Sequence, residues 1–183
     1  MTKMTKTLMM AGLMALGLVT VAGAQGAKDV KVTNTALMNN HADQAQAHDL
    51  VYDLAMQEVQ EAANRDLVTA FWNQLFNQHD ASVVDTMVGD TYIQHNPGFK
   101  DGKANFKTAI TGFLQEFPNS SAEIKHIGAS GDLVYIHNHV KVSPEDRGQA
   151  AMDIFRVQNG KIVEHWDILQ DIPETSENTN TMF

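Results

Sequence analysis

The chain has 183 residues, with 13 Lys plus Arg against 22 Asp plus Glu, 8 His and no Cys. A hydrophobic share of 43% and a charged share of 19% describe a globular chain long enough for one core of ordinary size. The formal charge of −9 argues against a nucleic-acid partner, which needs a basic face, and the missing thiols exclude disulfides, thiol nucleophiles and Cys-ligated metals.

Lys3 and Lys6 precede an uncharged apolar run, Leu8 to Ala22, that ends in Ala22-Gly23-Ala24. A basic start, an apolar middle and a small-x-small end form an export signal. The run is short and rich in Gly and Ala for a membrane span, which needs about 20 apolar residues. Residues 1–24 are therefore expected to be a leader cut between Ala24 and Gln25, leaving a periplasmic or secreted protein with no hold on a membrane. The lack of Cys suits that oxidising space. Residues 25–60 read as a polar linker, Lys28 to Asn40, and a helical extension from His41 to about Glu61, where Leu50, Val51 and Leu54 keep helical spacing.

A stronger helix is predicted over Glu61 to Gln78. Leu67, Phe71 and Leu75 recur every four residues beside the row Val68, Trp72, Phe76, which makes a wide apolar stripe. Asp80 is placed to cap a short helix, Ala81 to Met87. Thr91 to Asn96 is extended and stops at Pro97-Gly98. A third helix, Lys103 to Phe117, turns Phe106, Ile110, Phe113 and Leu114 inward and ends at Pro118. The period then changes from helix to strand: Ala122 to Ala129, Leu133 to Val142, Ala150 to Val157 and Ile162 to Leu169. The last two flank Asn159-Gly160, a strong hairpin signal. Helices followed by antiparallel strands give an α+β domain over 61–172, with helices on one face of the sheet. A polar tail, 173–183, follows.

No Gly-rich phosphate loop, serine elbow or paired helical His is present. What stands out is a polar set on otherwise apolar strands: His95, Asn96, His137, His139, Asp153, His165 and Asp167. The faces they share depend on the last hairpin. A two-residue turn pairs Val157 with Ile162 and turns Asp153 away from Asp167. A three-residue turn pairs Val157 with Lys161 and puts Asp153, Phe155, Val163, His165 and Asp167 on one face. Arg156 can pair with Glu164 on the other face. His137 and His139 with His95 or His165 offer a metal set, but His-x-His alone is a weak signal, and no metal or cofactor is expected.

Residues 61–171 resemble the nuclear transport factor 2-like superfamily, and within it the SnoaL-like polyketide cyclases. The segments that carry the resemblance are FWNQLFNQHD from Phe71, YIQHNPG from Tyr92 and MDIFRVQNGKIVEHWD from Met152. The resemblance implies a cone, a curved sheet wrapped around three helices, with a pocket at the open end and a homodimer through the outer sheet face. In the similar ketosteroid isomerases a buried protonated acid occupies the place of Asp153; the isomerase tyrosine and base positions hold Trp72 and Asn96 here. In the cyclase branch an Asp matching Asp167 is the acid/base, and His often stands where this chain has Asp153. The resemblance also favours the three-residue register.

These readings converge on an acid/base enzyme for a small apolar carbonyl compound, working by aldol-type closure, isomerisation or a related proton transfer. Such chemistry needs a base for the proton alpha to the carbonyl and donors for the enolate oxygen. The expected catalytic groups are Asp153, Asp167, His165 and His95. Asn96, His137, His139, Trp72 and Phe155 are expected to line the substrate. The alternative is a non-catalytic binding or dimerisation module, because one fold hosts both.

Overall fold

The computed structural model describes residues 5–9, 17–22, 30–34 and 41–183, with side chains from residue 44. The chain divides into two compact units, Met1–Gln60 and Glu61–Phe183. In the first, β1 (Thr5–Met9), β2 (Gly17–Ala22) and β3 (Val30–Asn34) pair antiparallel in chain order. The expected leader and linker otherwise lie outside the described residues. No helix among the described residues is long and apolar enough to cross a membrane.

Where the sequence predicts two helices, one helix, α1, runs from His41 to Trp72. Neither Gly nor Pro interrupts residues 41–78, and Ala, Gln, Glu and Leu favour the helix throughout. Past Trp72 the helix widens into a π-turn, Asn73–Asn77. This turn is tied to the sheet. The Asn77 amide donates to the Ala122 carbonyl at 3.0 Å and accepts from its N–H at 2.9 Å, while the Trp72 indole donates to the same carbonyl at 3.1 Å. Asp80 accepts from the Ser82 N–H and hydroxyl at 2.9 and 2.6 Å. It thereby shapes the turn that enters α2, Val83–Met87.

β4 (Val88–Gln94), α3 (Lys103–Glu116), β5 (Ser121–Ser130), β6 (Leu133–Lys141), β7 (Gln149–Gln158) and β8 (Lys161–Asp171) follow. The five strands form a curved, open sheet in the order β4-β8-β7-β6-β5; β4 runs parallel to β8 and the rest are antiparallel. This is the expected α+β architecture. Helix residues Val68, Phe71, Leu75, Phe106 and Ile110 are buried in one core with sheet residues Val134, Ile136, Phe155, Val157 and Ile162. Removing these side chains from water is the main stabilising term.

The last hairpin combines the two registers that the sequence leaves open. Its turn has two residues, Asn159 and Gly160, both at positive φ, and Val157 pairs with Ile162. A bulge at Val163 then shifts the ladder, so that Arg156 faces Glu164, Phe155 faces His165 and Asp153 faces Asp167. The three-residue turn favoured by the resemblance is thus incorrect, while its grouping of Asp153, His165 and Asp167 holds. One extra residue restores the parity that the tighter turn removes. It also buries Ile162, which the three-residue register places outside.

Candidate active site

The inner face of the sheet carries a polar patch at the junction of β4, β8, β7 and β6. Asp153 and Asp167 are directly opposed across β7 and β8. Asn138, on β6, is fully buried, and Asp153 and His165 are 4% and 8% exposed. At that depth each polar atom needs a partner. Asp153 has two: its Oδ1 lies 2.9 Å from His165 Nε2, and its Oδ2 accepts from the Asn138 amide at 2.7 Å. Asn96 donates to Asp167 Oδ2 at 2.8 Å. The other oxygen of Asp167 is buried and has no protein partner, and the same is true of the Asn138 oxygen.

β4 closes the patch. Alternation along the extended chain turns Tyr92, Gln94 and Asn96 inward. Gln94 Oε1 lies 3.1 Å from His165 Nδ1, and its Nε2 donates to the Tyr92 oxygen at 3.2 Å. Burial pushes the Tyr92 phenol well above its ordinary range, and the charges of Asp167 and Asp153 push the same way. Under the polar groups lies an aromatic floor. Phe155 stacks on the His165 ring at 4.7 Å, and Trp72 and Phe71 meet Phe155 edge-on at 6.0 and 6.2 Å. Ligating atoms of Asp153, His165 and Asp167 lie within 4.8 Å of one another, close enough for a small cation. The set offers a carboxylate with one unpaired oxygen, an imidazole–carboxyl pair and amide donors, which suits moving a proton on a bound compound.

The family model of the SnoaL-like polyketide cyclases matches residues 66–175, more than half of the chain. This chain belongs to that family. Among solved structures, an LEH-like epoxide hydrolase of M. tuberculosis is similar over 61% of this chain and 85% of its own, at 25% identity and a TM-score of 0.51. A putative polyketide cyclase of Bacillus cereus matches at 22% identity and 0.51, covering 58% of this chain and 74% of its own. A putative ketosteroid isomerase of Kribbella flavida matches at 12% identity and 0.53, covering 64% and 85%. The last two show the shared fold. No curated protein matches the chain.

The SnoaL-like domain brings together Asp153, His165, Asp167 and Asn96, with Phe155 beneath them. Trp72 lies behind them, edge-on to Phe155. Three expected site residues lie elsewhere. His95 falls between inward Gln94 and Asn96, so it points to the outer face. There it stacks on Trp166 at 4.6 Å and donates to Glu164 at 2.8 Å. Glu164 also accepts from Arg156 at 2.7 Å. His137 and His139 alternate with inward Ile136 and Asn138 and are likewise outside. His137 stacks over His126 at 5.6 Å, and His139 packs on Phe183 at 4.7 Å. The residues the sequence reading missed are Asn138, Gln94 and Tyr92. The signal was the strand alternation itself: Val134, Ile136, Asn138 and Val140 form one row, and an amide in an apolar row faces inward.

Proposed function

We propose that this SnoaL-like domain is an acid/base enzyme that moves a proton on a small carbonyl compound, without a metal. A family-level enzymatic or ligand-binding role already follows from the family and fold. The reading of the reaction is carried by Asp167. Asn96 holds one of its oxygens and the other is buried without a protein partner, which is how a base waits for a substrate C–H. Asp167 would take the proton alpha to the carbonyl. The His165–Asp153 pair would supply a proton to the oxygen or carbon that gains electron density, and Phe155 would pack against the apolar part of the substrate.

A second reading is opening of an epoxide, favoured by the similarity to the M. tuberculosis epoxide hydrolase. In that case Asp167 would take the proton of an attacking water and the His165–Asp153 pair would protonate the departing ring oxygen. One assay separates the readings: turnover of a panel of small aldehydes, ketones, lactones and epoxides by the wild type and Asp167→Asn. The expected outcome is turnover of a carbonyl compound that falls about 10²–10⁴-fold in Asp167→Asn. Binding of panel members with no turnover by either protein would make the domain a ligand-binding module.

Two further features complete the proposal. The pattern of residues 1–24 supports export with cleavage between Ala24 and Gln25. Ile93, Met152 and Ile168, exposed on the outer sheet face, support a homodimer through that face.

A further inference from the structure

We infer that Gln94 is a positioning residue that fixes a proton on Nδ1 of His165, so that the mobile proton of the site lies between His165 Nε2 and Asp153. One backbone amide fixes the orientation of the Gln94 side chain. The Asn96 N–H can only donate, and it lies 2.9 Å from one end of the Gln94 side chain. That end is therefore the oxygen, and the amide has one orientation. The same oxygen is 3.1 Å from His165 Nδ1. A carbonyl oxygen only accepts, so Nδ1 must carry hydrogen. The other end of the amide is an NH2 group, seated on the Tyr92 oxygen at 3.2 Å.

The imidazole then meets Asp153 with its second nitrogen, at 2.9 Å. With Nδ1 already protonated, any proton gained or lost by the pair is exchanged at Nε2 or Asp153 Oδ1, on the side where Asp167 stands opposite. Without Gln94 the preference would reverse, because the Asp153 carboxylate would draw the single proton of a neutral ring onto Nε2. The seat is rigid: the Gln94 N–H donates to Asp101 at 2.8 Å, the Gly102 N–H donates to the Tyr92 carbonyl at 3.1 Å, and the Gly98 N–H donates to the Asn96 side chain at 2.7 Å. The loop after β4 thus holds Tyr92, Gln94 and Asn96 as one unit.

The catalytic meaning of this placement rests on the acid/base reading above, but the placement is measured without turnover. Nitrogen-15 NMR of the labelled full chain reports which imidazole nitrogen bears hydrogen, with the His165 signals assigned by their loss in His165→Gln. The expected result at neutral pH is a protonated Nδ1 in the wild type and in Gln94→Glu, which keeps the acceptor. Gln94→Met, of similar size but with no acceptor, should shift the ring to the Nε2–H form. A wild-type ring already in the Nε2–H form would overturn the inference. So would a Gln94→Met protein, folded by its amide spectrum, that keeps the wild-type pattern. Should Gln94→Met not fold, the Gln94→Glu comparison still decides, since loss of Nδ1–H there contradicts the role given to the oxygen.

Discussion

Asn138 shows how a single residue can be both hidden and required. It is fully buried, and its amide is the donor to Asp153 Oδ2 at 2.7 Å. Asn138→Ala would leave that oxygen without its partner and should cost about 1–3 kcal/mol, read from urea unfolding. Glu164 offers a pH-dependent case on the opposite face. The hydrogen bond from Arg156, and then that from His95, hold its carboxyl below the usual range against the opposing effect of partial burial. A lowered folded value means that its contribution is complete above the unfolded range, about 4.3, and is lost as the pH falls through the folded value. Thermal melts should therefore show a wild-type stability that drops on the acid side of about pH 4.3, with a shallower drop in Glu164→Gln.

At the scale of elements, two glycines separate two kinds of constraint. Gly160 sits at φ 69° in the hairpin turn, and a Cβ there would meet nothing within 4 Å. Gly160→Ala should cost only the backbone penalty, about 1–2 kcal/mol. Gly148 sits at φ 78°, and a Cβ would lie 2.2 Å from the Val140 carbonyl oxygen. Gly148→Ala must therefore displace backbone as well, and should lose clearly more stability than Gly160→Ala in the same urea titration. Equal losses would show that the loop before β7 yields freely. The bulge at Val163 belongs to this scale too: it is the device that brings Asp167 opposite Asp153 after a two-residue turn.

For the whole molecule, the outer sheet face is the surface to test. Ile168 is 75% exposed and lies directly across from Met152, itself 42% exposed. A homodimer through this face predicts twice the monomer mass by light scattering at micromolar concentration, and the monomer mass for Ile168→Asp. Ile168 is exposed in the single chain, so Ile168→Asp should stay folded, and any lower melting temperature should reflect the lost partner. A wild-type protein that is already monomeric would remove the dimer from the proposal.

From residue 61 on, the sequence by itself determined the order of elements, the α+β class and the position of the final hairpin, because these depend on local periods and on Asn159-Gly160. It also singled out Asp153, His165 and Asp167, since acids and an imidazole on apolar strands are visible in one dimension. Only the tertiary structure decided which of the polar residues meet. His95 and His137 are as conspicuous in the chain as His165, yet strand parity turns them outward to Glu164 and His126. Asn138 and Gln94 are inconspicuous, yet they hold Asp153 and His165. The reason is that side-chain direction has a period of two, so one bulged residue reverses every face beyond it. No local pattern records that bulge; it follows from burying Ile162 and His165, three positions apart, on the same side of the sheet.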